Sequence, residues 1–140
     1  MDLKLTAEEL ADFLDEVFPQ VRGEFAIETL KPGSAVVRLN VTDRHLRPGG
    51  TVSGPSIFSL ADCAMYMAVL GVAGREALAV TTNCSIDFMR KPDAGRDLLA
   101  EARLLKFGRV LAVGDVMVRS EGSDAIVARA SLTYSRPPAG

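Results

Sequence analysis

The sequence predicts an α+β fold in which one antiparallel sheet covers a long, apolar central helix. Residues 55–73 are apolar on nearly every helical face, and residues 78–89 change to a two-residue alternation. Turns that contain Gly or Pro divide the rest of the chain into short β-rich runs. With 140 residues and 48% hydrophobic content the chain buries one ordinary core, so we expect a single domain over residues 1–140.

The first element is predicted to be an amphipathic helix within residues 1–20. Thr6 is followed by Glu9 at the spacing of a capping box, and apolar residues then recur at helical spacing up to Pro19. This acidic start lacks the features of a secretory signal, so we expect a cytoplasmic protein. The two cysteines have no CxxC spacing, which predicts reduced, buried thiols and no metal site.

A β-hairpin and a long loop are predicted to follow. The runs REFAIETL and SAVVRLNV flank the turn sequence Lys-Pro-Gly-Ser at residues 31–34. Residues 41–54 have no periodicity and contain three glycines and a proline, which indicates a functional loop.

The remaining strands are predicted from alternation and turn residues. In the strand over residues 78–89, Cys84 and Ile86 share one face, while Thr81 and Asn83 share the other. Three further β-rich runs, DLLAEARLLK, RVLAVGDVMVR and AIVARASLTY, are predicted to form a meander.

The central helix, over residues 55–73, carries one carboxylate, Asp62. This acid and two serines disfavour a membrane span and favour a buried core helix. Pro55 suits the first helical position, which makes Gly54 the N-cap and directs the free N–H groups of the first turn into the loop. We expect a second copy of the chain to cover the Asp62 face. Residue type alone leaves Asp62 open to a catalytic or a structural role.

The loop GlyGlyThrValSerGly, the helix PSIFSLADCAMYMAVL and the run VTTNCSIDFMRKPDAGRDLLAEARLLKFGR resemble the phenylacetate-degradation (PaaI-like) acyl-CoA thioesterases. The likeness covers most of residues 20–136 and implies a hotdog fold, a curved antiparallel sheet wrapped around the central helix. It also implies hydrolysis of an acyl-CoA without a cofactor, since CoA is part of the substrate. It places the family's acid on Asp62, its helix-start glycine on Gly54 and its earlier loop glycine on Gly50.

Three positions depart from the family's loop pattern, Asn-x-x-Gly-x-x-His-Gly-Gly. Arg47 stands in place of Asn, Ser53 in place of His, and Pro55 in place of the second Gly. Gly54 keeps the backbone N–H that polarises a thioester carbonyl in the family, while Pro55 loses a donor that the helix can spare. Arg47 donates hydrogen bonds but cannot accept them, so we expect it to bind substrate or to pair with Asp62.

The resulting catalytic candidates are Asp62, Gly54 and Ser53. A thioester carbonyl is expected at the Gly54 N–H, with Asp62 of the facing subunit as base or nucleophile. The candidate substrate-binding residues are Arg47, Gly50, Thr51, Ser59, Tyr66, Arg90, Lys91 and Arg109.

Some of these candidates have simpler interpretations. Arg90, Lys91 and Arg109 are assigned to the CoA phosphates because strand-end basic residues can meet in space, but scattered surface charge is the alternative. Core packing is the alternative for Tyr66. The sole histidine, His45, lies off the family's His position and is interpreted as structural.

The expected partners are an acyl-CoA and further copies of the chain, in a homodimer or a homotetramer built as a dimer of dimers. A net charge of −2 does not favour nucleic acid or a membrane as the main partner. The alternative function is a non-catalytic acyl-CoA or acyl-carrier binding protein of the same fold. A hydratase or dehydratase fits less well, because Ser53 replaces the expected His.

Overall fold

The computed structural model describes residues 1–138. Helix α1 (Ala7–Val17) is followed by strands β1 (Phe25–Lys31) and β2 (Ser34–Leu39), helix α2 (Gly54–Ala73), and strands β3 (Val80–Phe88), β4 (Leu98–Phe107), β5 (Leu111–Ser120) and β6 (Ile126–Ser135). Short 3₁₀-helices lie at Pro19–Val21 and Asp43–His45.

The six strands form one antiparallel sheet in the order β1-β2-β4-β5-β6-β3. The sheet curves around α2, which contacts every strand. This confirms the predicted α+β architecture and the hotdog arrangement that the resemblance implied. The β1–β2 hairpin and the β4–β5–β6 meander are also confirmed. Strand β3, whose neighbour the sequence left open, pairs with β6 and forms an edge of the sheet.

Helix α1 begins with the predicted capping box. The Glu9 N–H donates to Thr6 Oγ1 at 3.1 Å, and the Thr6 N–H donates to Glu9 Oε1 at 3.0 Å. Leu10, Phe13 and Leu14 are the buried residues of the helix. Helix α1 thereby covers the core beside α2 and β1.

Helix α2 is apolar because the sheet surrounds it. It is long and apolar enough to cross a membrane by length and composition, but 67% of its most hydropathic window is buried in the fold. Ala61, Ala64 and Ala68 are fully buried and let the helix approach the strands closely. At Gly114 on β5 the approach is so close that a Cβ atom would lie 2.5 Å from Met65 Cε.

Helix α2 starts one residue earlier than predicted, so the assignment of Gly54 as N-cap was wrong. Ser53 is the N-cap, with its Oγ accepting from the Ser56 N–H at 3.4 Å and its carbonyl accepting from the Ile57 N–H at 3.0 Å. Gly54 is the first helical residue and Pro55 the second. Proline is tolerated there because the first-turn N–H groups have no partner within the helix.

Candidate active site

Asp62 lies half-buried on α2, where β3 and β6 meet the helix. The hydroxyl groups of Tyr134 on β6 and Thr81 on β3 both donate to Asp62 Oδ1, each at 2.6 Å. The Tyr134 hydroxyl also lies 2.9 Å from the Asp62 backbone oxygen. Within residues 1–138 Asp62 Oδ2 forms no hydrogen bond, so Oδ2 is the oxygen available to a water molecule or a substrate.

A β-bulge brings Thr81 to this site. The register between β3 and β6 shifts between Thr81 and Asn83, so two residues of β3 occupy the space of one. Strict alternation predicted Thr81 on the face opposite Cys84, but the extra residue turns it towards Asp62. Thr81 lies beside Tyr134 in the β3–β6 pairing, which explains why both hydroxyls reach the same oxygen.

The two titratable side chains beside Asp62, Tyr134 and Cys63, are protonated at neutral pH. Tyr134 is 3% exposed, and burial together with the Asp62 charge raises its pKa well above the usual tyrosine range. Burial also raises the pKa of Cys63 to about 12, with a further contribution from the Asp62 charge. Cys63 is therefore a neutral thiol at pH 7 and a poor nucleophile. Both cysteines are free, as predicted, although Cys84 is only partly buried.

Asp62 borders a cavity of about 320 Å³. The other lining side chains are mostly apolar and come from the end of α1, from α2, and from β3 and the segment before it: Val17, Phe18, Cys63, Tyr66, Ala77, Ala79 and Val80, with Thr81 and Tyr134 beside the acid. A carboxylate with one unpartnered oxygen beside a partly apolar cavity is suited to accept a proton from water or to attack a carbonyl carbon.

The glycine-rich loop forms a closed turn before α2. Its ends pair between Leu46 and Val52, the Arg47 N–H donates to the Thr51 carbonyl at 2.9 Å, and the Gly50 N–H donates to the Arg47 carbonyl at 3.0 Å. Gly50 has φ +81°, a conformation that favours glycine. Because the Gly50 N–H is used within the turn, it is not free to bind a ligand.

Arg47 is exposed and forms no ion pair with Asp62 in the part of the chain that the structure describes. Both predicted roles for Arg47, substrate binding and an ion pair with Asp62, therefore stay predictions for a site that includes a second copy of the chain. The acid is held by neutral hydroxyl groups instead.

Several candidates have structural partners of their own. The Ser53 hydroxyl caps α2 and donates to Ser56 Oγ at 3.1 Å. The Tyr66 hydroxyl donates to the Ala77 carbonyl at 2.8 Å, so Tyr66 offers a ring face and not a free hydroxyl to the cavity. Ser59 is half-buried and does not line the Asp62 cavity.

His45 is buried, and both of its ring nitrogens have partners within the chain. It is 2% exposed, its Nδ1 accepts from the Thr42 N–H at 2.9 Å, and its Nε2 lies 3.0 Å from Glu24 Oε1. These contacts fix the start of the glycine-rich loop to the chain segment before β1.

The predicted basic residues do not meet within one chain. Arg90 follows β3, and its N–H donates to the Val127 carbonyl at the start of β6. Arg109 lies in the β4–β5 turn, at the other end of β5. The length of β5 separates these positions by about 30 Å. The prediction that Arg90, Lys91 and Arg109 approach one another was therefore wrong for a single chain, because the antiparallel meander sends alternate turns to opposite ends.

The two main catalytic candidates are also apart in one chain. Gly54 and Asp62 are eight residues apart on α2. This spacing corresponds to roughly 12 Å along the helix axis. A carbonyl bound at the Gly54 N–H and a water molecule bound at Asp62 must lie within hydrogen-bond reach of one another. One protomer by itself therefore does not complete the predicted site.

The chain is similar in sequence to known thioesterases. Residues 49–137 match the thioesterase superfamily. Human acyl-coenzyme A thioesterase 13 is 27% identical over 116 residues, which cover 83% of this chain and 82% of the human protein. Acyl-coenzyme A thioesterase PaaI of Escherichia coli K12 is 34% identical over 92 residues, covering 66% of this chain and 64% of PaaI.

The fold is similar to that of a solved structure. A proposed thioesterase from a Silicibacter species superposes with a TM-score of 0.93 at 62% sequence identity, and the match covers 99% of this chain and 96% of that one.

Proposed function

Since the chain belongs to the thioesterase superfamily, we propose that it hydrolyses the thioester bond of an acyl-coenzyme A to a free acid and coenzyme A. The observation that carries the proposal is Asp62, whose Oδ1 is held by two hydroxyls while Oδ2 stays free beside a cavity. The names of the human and E. coli relatives support the substrate class. The free cysteines suit a reducing compartment, so a cytoplasmic location belongs to the same proposal.

The proposed active site is built from two copies of the chain. Strand β3 is an edge strand, and it carries Val80 and Phe88 with 56% and 53% of their surface exposed. On the adjoining face of α2, Phe58 is 38% exposed. An edge strand with exposed apolar side chains is a surface that a second strand can cover.

A two-fold axis on this surface would complete the site. Gly54 lies beside Phe88, and Asp62 lies beside Thr81, so α2 and β3 run in opposite directions along one surface. A two-fold axis near Phe58 would place the partner's Gly54 close to Asp62 of the first copy. It would also place Gly54 of the first copy close to the partner's Asp62, so that the dimer has two equivalent sites. The same rotation places the Val80 end of β3 in the partner beside the Phe88 end of β3 in the first copy. Whether such dimers pair further into a tetramer stays a prediction.

In the proposed mechanism, the thioester carbonyl oxygen accepts a hydrogen bond from the partner's Gly54 N–H. The positive end of that helix dipole stabilises the negative charge that develops on the oxygen. Asp62 Oδ2 takes a proton from water as the water oxygen bonds to the carbonyl carbon. The C–S bond then breaks, and the proton passes to the leaving thiolate. A direct attack by Oδ2 uses the same contacts and forms an anhydride that water then opens.

The CoA phosphates are proposed to bind where basic residues lie close to the Gly54 end. Arg47 belongs to the loop that leads into Gly54, and Arg90 and Lys91 follow Phe88, whose ring covers Gly54. The two-fold rotation also brings the end of the partner's sheet that carries Arg109 towards the Gly54 end of α2 in the first copy. All four cations thereby serve one dimeric site in the proposal.

The proposal is tested with a panel of acyl-CoAs and a thiol reagent that detects released CoA. Asp62→Asn should lower kcat by about a hundredfold or more, because the amide does not accept a proton from water. Asp12→Asn, an exposed carboxylate change on α1, is the matched control. Hydrolysis that persists in Asp62→Asn at the wild-type rate would overturn the assignment.

Binding without hydrolysis is the second candidate function. The observation that favours it is the loop, in which Arg47 has no acceptor group and the Ser53 hydroxyl is used by the helix cap. Acyl-CoA that raises the melting temperature without releasing CoA would support this alternative.

A further inference from the structure

We infer that the hydrocarbon end of a long acyl chain binds in a second cavity beside α1, an inference that rests on the proposed thioesterase function. This cavity, called here the α1 cavity, has a volume of about 540 Å³. Its walls come from α1, the 3₁₀-helix Pro19–Val21, β1 and α2. Its volume lies in the range of small-molecule sites.

The walls of the α1 cavity suit hydrocarbon. The large apolar side chains that line it are Leu14, Val21, Phe25, Ile27 and Met67. The charged lining residues, Glu8, Asp15 and Arg22, are all exposed at the solvent rim. Arg22 and Asp15 are 72% and 47% exposed and face each other at 3.9 Å. A polar group placed deep in such a cavity would lose its hydration without gaining a partner. The cavity therefore selects an unsubstituted hydrocarbon chain over one that ends in a carboxylate or hydroxyl group.

The α1 cavity adjoins the Asp62 cavity. Phe18, Cys63 and Tyr66 line both, so these three side chains form the wall between them. An acyl group whose carbonyl carbon lies at Asp62 meets this wall within the Asp62 cavity. A short acyl group ends there, whereas a longer one can continue only past the wall.

Phe18 is the movable part of the wall. Tyr66 is fixed by the hydrogen bond to Ala77 and by stacking on Tyr134, with ring centroids 6.0 Å apart. Phe18 follows the last turn of α1, and its half-buried ring meets Tyr66 edge-on at 6.5 Å. Packing alone holds this ring, so a rotamer change of Phe18 opens the passage at the lowest cost.

The test measures kcat/KM for dodecanoyl-CoA and butanoyl-CoA. Ala11 lines the α1 cavity on the exposed side of α1, where a large side chain can be accommodated, so Ala11→Trp should fill the cavity. We expect the dodecanoyl to butanoyl ratio to fall about tenfold or more. Asp12→Trp, the next residue along but outside the lining, is the matched control and should leave the ratio unchanged. Phe18→Ala removes the wall and should raise the ratio.

The outcomes separate the two proposals. If neither substrate is hydrolysed by the wild-type protein, the proposed function fails. If both are hydrolysed and folded Ala11→Trp keeps the wild-type ratio, the α1 cavity is not the acyl site while the proposed function stands. Should Ala11→Trp melt well below the wild type, Ala26→Phe on the opposite wall replaces it with the same expected fall and the same contradictory result.

Discussion

The Tyr134 hydroxyl lies 2.6 Å from Oδ1 of Asp62 and 2.9 Å from the backbone oxygen of the same residue. One buried side chain on β6 thereby fixes both the side chain and the main chain of a residue on α2. With Thr81 on the same carboxylate oxygen, this contact decides which Asp62 oxygen faces the cavity.

Tyr134→Phe should lower kcat by about tenfold or more and change KM little, because Asp62 loses a positioning hydrogen bond while the aromatic ring that lines the cavity is kept. It should also lower the free energy of unfolding by about 1–2 kcal/mol, since a buried hydrogen bond to a carboxylate is lost. Steady-state kinetics and urea unfolding measure the two effects. A variant with lowered stability and wild-type kcat would reduce Tyr134 to a structural role.

Thr81→Ser should keep most of the activity, whereas Thr81→Val should lower kcat. Serine retains the hydroxyl that donates to Asp62 Oδ1, and valine has nearly the same shape without a donor. The pair separates hydrogen bonding from packing. Equal kcat values for the two variants would show that the hydroxyl at this position is dispensable.

Activity should return when two inactive variants are mixed. Gly54→Pro removes the proposed carbonyl-binding N–H, and Ser53 before it is already extended at φ −73° and ψ 154°, as a residue before proline prefers. Because residue 54 is helical and precedes Pro55, this variant must also show the helix content and melting temperature of the wild type before it is mixed. In a heterodimer with Asp62→Asn, one of the two sites has both native groups. Random exchange of subunits should therefore restore about a quarter of wild-type activity.

The control for this experiment is each variant alone, which should be inactive. If mixing restores nothing while mass measurement shows heterodimers, Gly54 and Asp62 do not act across an interface.

Gly114→Ala should lower the free energy of unfolding by about 2 kcal/mol or more. The added Cβ would lie 2.5 Å from Met65 Cε and would also contact the Arg103 backbone oxygen, which cannot move aside. Urea unfolding measures the change. A Gly114→Ala protein as stable as the wild type would contradict this close packing of α2 on β5.

Stability should fall in alkaline solution. Burial raises the pKa of Cys63 to about 12, while an unfolded thiol titrates near about 8.5. The contribution of Cys63 to the free energy of unfolding is therefore fully present below the thiol pKa of the unfolded chain. It is lost as the pH rises through the thiol pKa of the folded protein. The raised pKa of Tyr134 acts in the same direction. Cys63→Ala should reduce, but not abolish, the decrease in melting temperature above about pH 9; an unchanged slope would contradict this account.

The sequence predicted the elements whose signals are local. The capping box of α1, the turn at residues 31–34 and the turn residues that separate the last three strands are each signals of a few neighbouring residues, and the elements they predicted are confirmed. The apolar character of α2 predicted a helix enclosed by the sheet, because nothing else removes so much apolar surface from water. Asp62 was identifiable for the same reason, as a carboxylate on such a helix.

Only the tertiary structure decided how these elements form a site. Tyr134 is 72 residues from Asp62 in the chain, and Thr81 faces it only through a bulge set by the pairing of β3 with β6. The separation of Arg90 from Arg109 and the wall at Phe18 likewise depend on which segments become neighbours. Local periodicity fixes the face on which a residue lies relative to its own element. Pairing register and packing fix what that face meets, and their energies come from residues distant in the sequence.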